Sequence, residues 1–533
     1  MQSGRGRDCE IGDWRLGGAE IHNSLLTAHD SQVNSSSLII WAGLAVLDAQ
    51  APVQRNYGVC VVGNRIVDVG SHSELQKRHP DAIVVGDTAL CLLPGLVNAH
   101  DHGRALSGVA LGVADDMLEI WLMALGALPA IDPALLAQLE GVTLLRNGVT
   151  ATAHSHNPST WERLPDECAP TLDGYRAAGI RVAFHPPYVD QNPLLYASHQ
   201  EFLAGLNNDV RALAQAAMQL PTLSPGDYFA LCTDLYNRFH DAADHTVHIQ
   251  ISPAGGVWCS DALILAACDW ATARNTRVQM HLLETRYQAL YAQRRWGTSF
   301  VRHLNEIGAL GPWLTLAHMI WLDDGDIEIL HDRDVAIVHN PSSNLRLRSG
   351  IAPLPGLLAA GIALGIGLDG CALDDDQDYL RELRLAWTLA NRPGATSPTI
   401  PAADILHLGT VGGAAVTFGP HAPLGRLEIG ALADVILLDW RSIEGVWMSP
   451  LASPLDVLLR RANRTHVRHV MVNGEWVVRE GRAVRIDEAA LLTEVQTALR
   501  SAGRQEQHSL EAALSLAPHV RRFYAGWDTV SML

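Results

Sequence analysis

The chain has 533 residues, 48% hydrophobic and 18% charged, a globular composition long enough for more than one domain. Its formal net charge of -18 argues against a nucleic-acid binder, because phosphate contacts need clustered Lys and Arg. No apolar run reaches the roughly 20 residues of a membrane helix, and Met1 to Gly18 lacks the apolar core of a secretory signal. Eight scattered cysteines without a Cys-x-x-Cys pair read as free thiols. The expectation is a cytoplasmic protein with no membrane or nucleic-acid partner.

Residues 1–37 are polar, with little periodicity, and read as an N-terminal extension or an arm packed on a neighbour. Residues 38–93 hold short strands: Leu38–Leu47, Gly58–Val62, Arg65–Val69 and Ile83–Val85, with a hairpin turn at 62–65. A matching pattern returns in 423–483, with strands Asp434–Asp439, Val467–Val472 and Glu475–Arg479 and a turn at Val472-Asn473-Gly474. Neither half makes a sheet alone, so one small β-sandwich domain from both ends is predicted.

Residues 94–422 alternate strand and helix. Strands are predicted at 95–100, 149–154, 180–185, 246–251, 277–281, 314–318, 335–339 and 363–369. Helices are predicted over Pro133–Arg146, Glu201–Met218, Ser260–Arg274 and Arg286–Ile307. Eight strands is the count of a (β/α)₈ TIM-like barrel, an α/β fold. A doubly wound open sheet is the alternative, but no Gly-x-Gly-x-x-Gly follows the first strand. Residues 484–533 read as C-terminal helices, Glu488–Ala502 and Leu510–Tyr524.

In a barrel, catalytic groups sit at the C-terminal ends of strands. His100 and His102 end the first strand, one residue apart, so both imidazoles face one side. His281 ends the fifth strand, with Glu284 three residues on. His318 ends the sixth and Asp369 the eighth. Each has a bland reading alone: a core histidine, a turn aspartate, a helix-start glutamate. Together, His100, His102, His281 and Asp369 are the ligand set of a catalytic metal site with one position left for water.

These segments carry a resemblance. PGLVNAHDH (94–102), HLLET (281–285), LAH (316–318), HNPSSNLRLRSGIAPL (339–354), LGIGLDG (364–370) and GALADVILLD (430–439) resemble the amidohydrolase superfamily, in its triazine hydrolase and aminohydrolase branch. The likeness spans roughly residues 58–480. It implies metal ligands His100, His102, His281 and Asp369, with Glu284 as proton shuttle and His318 as oxyanion partner. Binuclear members bridge two metals with a carboxylated barrel lysine. The only lysine here, Lys77, precedes the barrel, so one divalent ion is expected, Zn²⁺ first and Fe²⁺ second.

The chain departs from its aminohydrolase relatives where they carry Pro-His-(Ala/Ser)-Pro-Tyr. The segment here is Ser252-Pro253-Ala254-Gly255, with Ala254 in the histidine's place. Cys371 to Asp376 also departs, after the final Asp-Gly. The stretch Gly103–Ser107 with Asp115–Leu122 looks like hydrolases of phenylureas and molinate. The leading expectation is a hydrolase cleaving a C–N bond of a small aromatic urea, amide or carbamate. The alternative is an aminohydrolase of an amino-substituted heterocycle, and a third reading is a non-catalytic scaffold. Arg104, His154, His156, His185, Tyr188, Trp258, Asn340 and Arg346 are further pocket candidates. His154 and His156 repeat the i, i+2 spacing. The expected partners are a small-molecule substrate and copies of the chain in a homo-oligomer.

Overall fold

The computed structural model describes residues 37–197, 199–370, 373–502 and 505–529. The expectation for the N-terminal extension therefore lies almost wholly outside the described residues.

Four strands come first: β1 (Leu38–Ala45), β2 (Gln54–Val62), β3 (Arg65–Ser71) and β4 (Ile83–Pro94). Eight barrel strands follow, β5 (Leu96–Asp101), β6 (Val149–Ser155), β7 (Arg181–His185), β9 (Val247–Ile249), β11 (Val278–Leu282), β12 (Leu314–His318), β13 (Ala336–His339) and β14 (Leu364–Ile366), with β8 (Pro187–Tyr188) and β10 (Ser252–Pro253) pairing as a separate two-stranded sheet. Last come β15 (Val435–Asp439), β16 (Val467–Val472), β17 (Glu475–Arg479) and β18 (Arg482–Ala483).

The two chain ends build one eight-stranded sheet in the order β18-β17-β16-β15-β4-β1-β2-β3. This is a single curled sheet rather than two stacked ones. A bridge from Arg65 to Leu432 brings its far edge back on itself. Ile40, Val59, Leu92, Val435, Leu437 and Met471 fill the space it encloses. Both predicted hairpin turns form, and they touch: Asn64 Nδ2 donates to Asn473 Oδ1 at 3.2 Å. Asn473 and Gly474 both have positive φ, as a type I′ turn requires. A Cβ on Gly474 would lie 2.1 Å from the Gly63 carbonyl oxygen, so only glycine permits the approach.

The barrel strands form two four-stranded parallel arcs, β5-β6-β7-β9 and β11-β12-β13-β14. A parallel bridge from Ile251 to Val278 links the arcs on one side. On the other, the Asp369 N–H donates to the His100 carbonyl at 3.0 Å. The strands are buried on both faces, as a sheet covered by helices and filled by side chains demands. Gly95, at the entry to β5, faces Thr150, whose Oγ1 would lie 2.1 Å from a Cβ there.

Several expected elements differ in extent. The strand predicted at Ile83–Val85 runs on to Pro94, because it pairs with β1 and then β15. The predicted strand 246–251 is interrupted between β9 and β10. The helix predicted over Arg286–Ile307 breaks at Gly297, whose φ of 72° is left-handed, and restarts on the Ser299 cap. The helix predicted over 201–218 breaks before Asn207, which caps the second piece.

A buried ion pair ties the barrel to the curled sheet. Arg181, at the start of β7, donates through Nε and Nη2 to Asp434 at 2.8 and 2.7 Å. The C-terminal helix, Gln505–Ala525, crosses the barrel mouth against the helix Leu118–Leu125. Leu510 packs on the cluster of Val113, Leu118 and Trp121, and Arg521 pairs with Asp116 at 2.5 Å. No helix of the described residues is long and apolar enough to cross a membrane. Six free cysteines among them are buried.

Candidate metal and active site

Four barrel strands deliver one cluster. His100 and His102 stand at the end of β5, His281 on β11, His318 at the end of β12, and Asp369 three residues past β14. The ligand atoms of His100, His281, His318 and Asp369 lie within 4.8 Å of one another. Asp369 Oδ1 is 3.1 Å from both His100 Nε2 and His102 Nε2. His102 Nε2 is 3.1 Å from His281 Nε2. Two ligands about 2.1 Å from a shared ion stand about 3.0–3.4 Å apart, so these spacings fit one divalent metal.

The remaining ring nitrogens explain the aim. His100 Nδ1 donates to Gln279 Oε1 at 2.6 Å, and Gln279 Nε2 is itself fixed on the Ala99 carbonyl. His102 Nδ1 donates to the Ser155 carbonyl at 2.8 Å, and His281 Nδ1 to the Ala254 carbonyl at 2.5 Å. His318 Nδ1 donates to Asn344 Oδ1 at 2.9 Å. In each ring an oxygen acceptor holds the proton on Nδ1 and leaves the Nε2 lone pair facing the common point. His100 Nε2 and His318 Nε2 are buried and make no hydrogen bond in the protein. Buried orphan nitrogens facing a carboxylate are what a cation's ligands look like from the protein side.

Electrostatics favour the neutral ligand form in three of the four rings; at His100 burial lowers the pKa but the neighbouring Asp369 outweighs it and raises it. Burial, then the neighbouring His100 and His102, hold His281 well below the usual histidine range. Burial lowers His102 and His318 to about 4. Burial opposes the Asp369 charge, but the close His100 and His102 rings outweigh it and keep this carboxyl well below the usual range. Glu284 behaves oppositely. Burial, then the charges of Asp369 and Glu119, push its pKa well above normal. Glu284 Oε2 is 3.6 Å from His318 Nε2, and Oε1 is buried without a partner. The site thus pairs an ionised carboxylate with a proton-holding carboxyl, the division of labour that acid–base hydrolysis uses.

The backbone is bent to make this arrangement. His318 and Asp369 have φ of 79° and 57°, in the left-handed region. Such residues cost about 1–3 kcal/mol each and persist where the surroundings fix them. Gly367 permits the turn into Asp369, since a Cβ there would lie 2.4 Å from Asn340 Oδ1 and 2.8 Å from His100 Cβ.

A cavity of about 560 Å³ opens on the cluster. Its deep end carries His102, His281, Glu284, His318 and Asp369. Its outer wall is apolar, built from Leu118, Trp121, Leu122, Leu125, Leu128 and Ile131. Arg104 and Trp258 line it, the Arg104 guanidinium lying 4.7 Å above the Trp121 ring. His154 and His156 also line it, within a chain of contacts. Tyr175 OH is 2.6 Å from His154 Nδ1, His154 Nε2 is 3.2 Å from His156 Nδ1, and His156 Nε2 is 3.4 Å from Glu167. This pairing leaves the two rings facing each other and Glu167, on the wall rather than among the ligands. Ala254 lines the cavity beside Trp258 and His281.

The remaining candidates take other positions. His185 lies beneath the cavity, 3.1 Å from the His154 carbonyl and 2.7 Å from Gln250 Oε1. Asn340 is buried behind His318 and Gly367. Neither is among the residues lining the cavity; His185 bonds within the strand layer to Gln250 and the His154 carbonyl, and Asn340 to His318. Tyr188 donates to the Leu223 carbonyl at 2.5 Å and also lies off the cavity. Arg346 lines it but is paired with Asp115 and Asp375. Sequence reasoning missed Gln279, Ser343, Asn344, Trp121 and Glu119. Ser343 and Asn344 stand inside the motif at 339–354, but nothing local marks their partners.

The family model described as "Amidohydrolase family" matches residues 91–477. A second, "Imidazolonepropionase-like composite domain, bacteria", matches residues 58–82. Among curated relatives, a 5-methylthioadenosine/S-adenosylhomocysteine deaminase of Syntrophobacter fumaroxidans is 28% identical, over 83% of this chain and 93% of its own length. A 5'-deoxyadenosine deaminase of Methanopyrus kandleri is 29% identical, over 85% and 96%. Among solved structures, an adenosine deaminase from Xanthomonas campestris with bound zinc superposes with TM-score 0.73 at 27% identity, over 88% of this chain and 98% of its own. A mutant atrazine chlorohydrolase from Arthrobacter aurescens TC1, complexed with zinc and atraton, reaches TM-score 0.73 at 22% identity, over 87% and 100%; that likeness speaks for the fold.

Proposed function

The chain belongs to the amidohydrolase family, and from that premise we propose that it is a metal-dependent aminohydrolase releasing ammonia from an amino-substituted nitrogen heterocycle. The observation that carries the reading is Glu284: a buried carboxyl whose Oε2 stands 3.6 Å from His318 Nε2 at the edge of the cluster and whose pKa burial and the Asp369 charge push well above normal. A ring amino group is a poor leaving group until it is protonated, and a carboxyl of raised pKa is the group that protonates it. The named deaminase relatives favour this over the phenylurea-type cleavage expected from the Asp115–Leu122 stretch.

His100, His102, His281 and Asp369 are the residues that would hold the ion, and neutral imidazoles with one carboxylate suit zinc. When bound, such an ion supplies a water acidic enough to attack as hydroxide near neutral pH. Asp369 accepts a hydrogen bond from that water and orients it. Glu284 delivers its proton to the departing nitrogen and regains one as the attacking water is deprotonated. His318, fixed by Asn344, sits where charge develops on the reacting atom and stabilises it. The apolar wall of Trp121, Leu122 and Leu125 excludes water and favours a heterocycle carrying a largely apolar substituent. With Ala254 in the histidine's place, that ring edge meets no polar group there.

Ammonia release from 5'-deoxyadenosine, adenosine and melamine, beside aniline release from a phenylurea, tests the reading. Zinc-loaded protein should release ammonia from at least one heterocycle. Aniline release with no ammonia from any heterocycle would overturn it.

A further inference from the structure

The helix Gln505–Ala525 lies beyond residues 91–477, which the family model matches. Leu516, Val520 and Tyr524 recur every fourth residue, so they share one face, and with Trp527 just past the helix end they are buried. That face is anchored on the barrel. The Tyr524 ring centre is 4.5 Å from that of Tyr287 and 5.7 Å from that of Tyr196, and its hydroxyl accepts from the Tyr196 N–H at 3.2 Å. The Arg294 guanidinium stands 3.8 Å over the Trp527 ring, and Tyr287 OH donates to Asp528 at 3.1 Å.

The same helix also lies on the roof of the active site, the helix Leu118–Leu125. Leu118, Trp121, Leu122 and Leu125 of the roof line the cavity; among the described residues, the C-terminal helix contributes none. It touches the wall from behind. Leu510 packs on Val113, Leu118 and Trp121, and its Cδ2 would lie 3.4 Å from a Cβ on Gly112. Arg521 pairs with Asp116, just ahead of the roof. A helix of 8 residues is marginal alone and takes its position from what packs on it. Ile120 joins the main core, and Thr285 Oγ1 donates to Glu119 Oε1 at 2.7 Å. The cavity-facing Leu118 and Trp121 belong instead to a small separate cluster, which Leu510 joins.

We infer that the C-terminal helix is a strap that holds the roof against the cavity, with Tyr524 its anchor and Leu510 its contact, and so sets the largest substituent the heterocycle can carry. The inference rests on the aminohydrolase reading. Tyr524 and Leu510 are positioning residues: they line no part of the cavity and act through Leu118 and Trp121. The buried aromatic anchor outweighs the Arg521–Asp116 pair, whose arginine is half exposed and screened by solvent. Without the anchor the roof loses its backing, Leu118 and Trp121 recede, and the cavity widens. A small substrate, held at the deep end, gains nothing from that; a bulkier one gains room.

The test uses the full-length zinc-loaded protein with 5'-deoxyadenosine and the bulkier 5'-benzylthioadenosine, together with amide hydrogen exchange, which needs no turnover. Tyr524→Ala should speed exchange several-fold in the peptide spanning 103–131 and leave the β11 and β12 peptides as in the native chain. It should raise kcat/KM for the bulkier substrate relative to the smaller about tenfold, through KM rather than kcat. Tyr524→Phe keeps the ring and should match the native chain in both assays. A loss of folded protein lowers turnover of both substrates alike, so their ratio separates positioning from stability. Leu510→Ala should shift both readouts the same way, and it serves if Tyr524→Ala does not fold. Native exchange over 103–131, or an unchanged ratio, in a folded alanine variant would overturn the inference. If neither substrate is turned over, that result bears on the aminohydrolase reading, and the exchange arm decides the role of the helix alone.

Discussion

Ser343 Oγ donates to Asp369 Oδ2 at 2.5 Å, which leaves Oδ1 free to face His100 and His102. The adjacent Asn344 holds His318. One short helix, Pro341–Arg346, therefore positions both a ligand carboxylate and an imidazole from another strand. Removing an outer hydrogen bond to a ligand typically costs 10–100-fold in metal affinity or activity. Ser343→Ala should lower zinc affinity by about that factor, read by competition with a chelator, while the circular dichroism spectrum stays unchanged.

His281 stands 3.1 Å from His102, nitrogen to nitrogen, and donates from its other nitrogen to Ala254. Purified His281→Ala should carry much less than one metal per chain by elemental analysis and lose turnover. Full metal content in that variant would refute the ligand set.

Asp434 is the counter-charge to Arg181 across the junction of barrel and curled sheet, both nearly unexposed. Breaking a buried pair from one side leaves a buried charge and costs about 3–5 kcal/mol. Asp434→Asn should lower the urea midpoint by a matching amount, with the metal site intact in the folded fraction.

Glu382 accepts from the Ser342 N–H at 2.9 Å, at the base of the same short helix. Burial pushes its pKa up to about 8 from an ordinary 4.5. A carboxyl with a raised folded pKa stabilises most when protonated. That stability is complete below about pH 4.5 and is lost as pH rises through about 8. Glu382→Gln cannot ionise, so its Tm relative to the native chain should climb between pH 5 and pH 8.5. A constant difference across that window would show that Glu382 ionises without cost.

Much of the fold was legible because its signals are local. Strand and helix periods placed all eight barrel strands, Asn473-Gly474 announced a turn that only such residues make, and the Asp132 cap with Pro133 opened the helix Pro133–Arg146 where expected. The histidines at strand ends were equally plain, since alternation along a strand fixes which residues share a side. Substrate choice was less legible, because a motif near Asp115–Leu122 says little about what its side chains surround.

Residue order alone determined which side chains stand at the mouth of the barrel, because that follows from the strand period and from chain direction. Folding decided which of them meet. The Nδ1 acceptors of His100, His102, His281 and His318, the apolar wall that covers them, and the bond from Thr285 to Glu119 all join segments far apart in sequence. Such pairings are set by how strands and helices pack, and packing geometry is not written in any one stretch of chain.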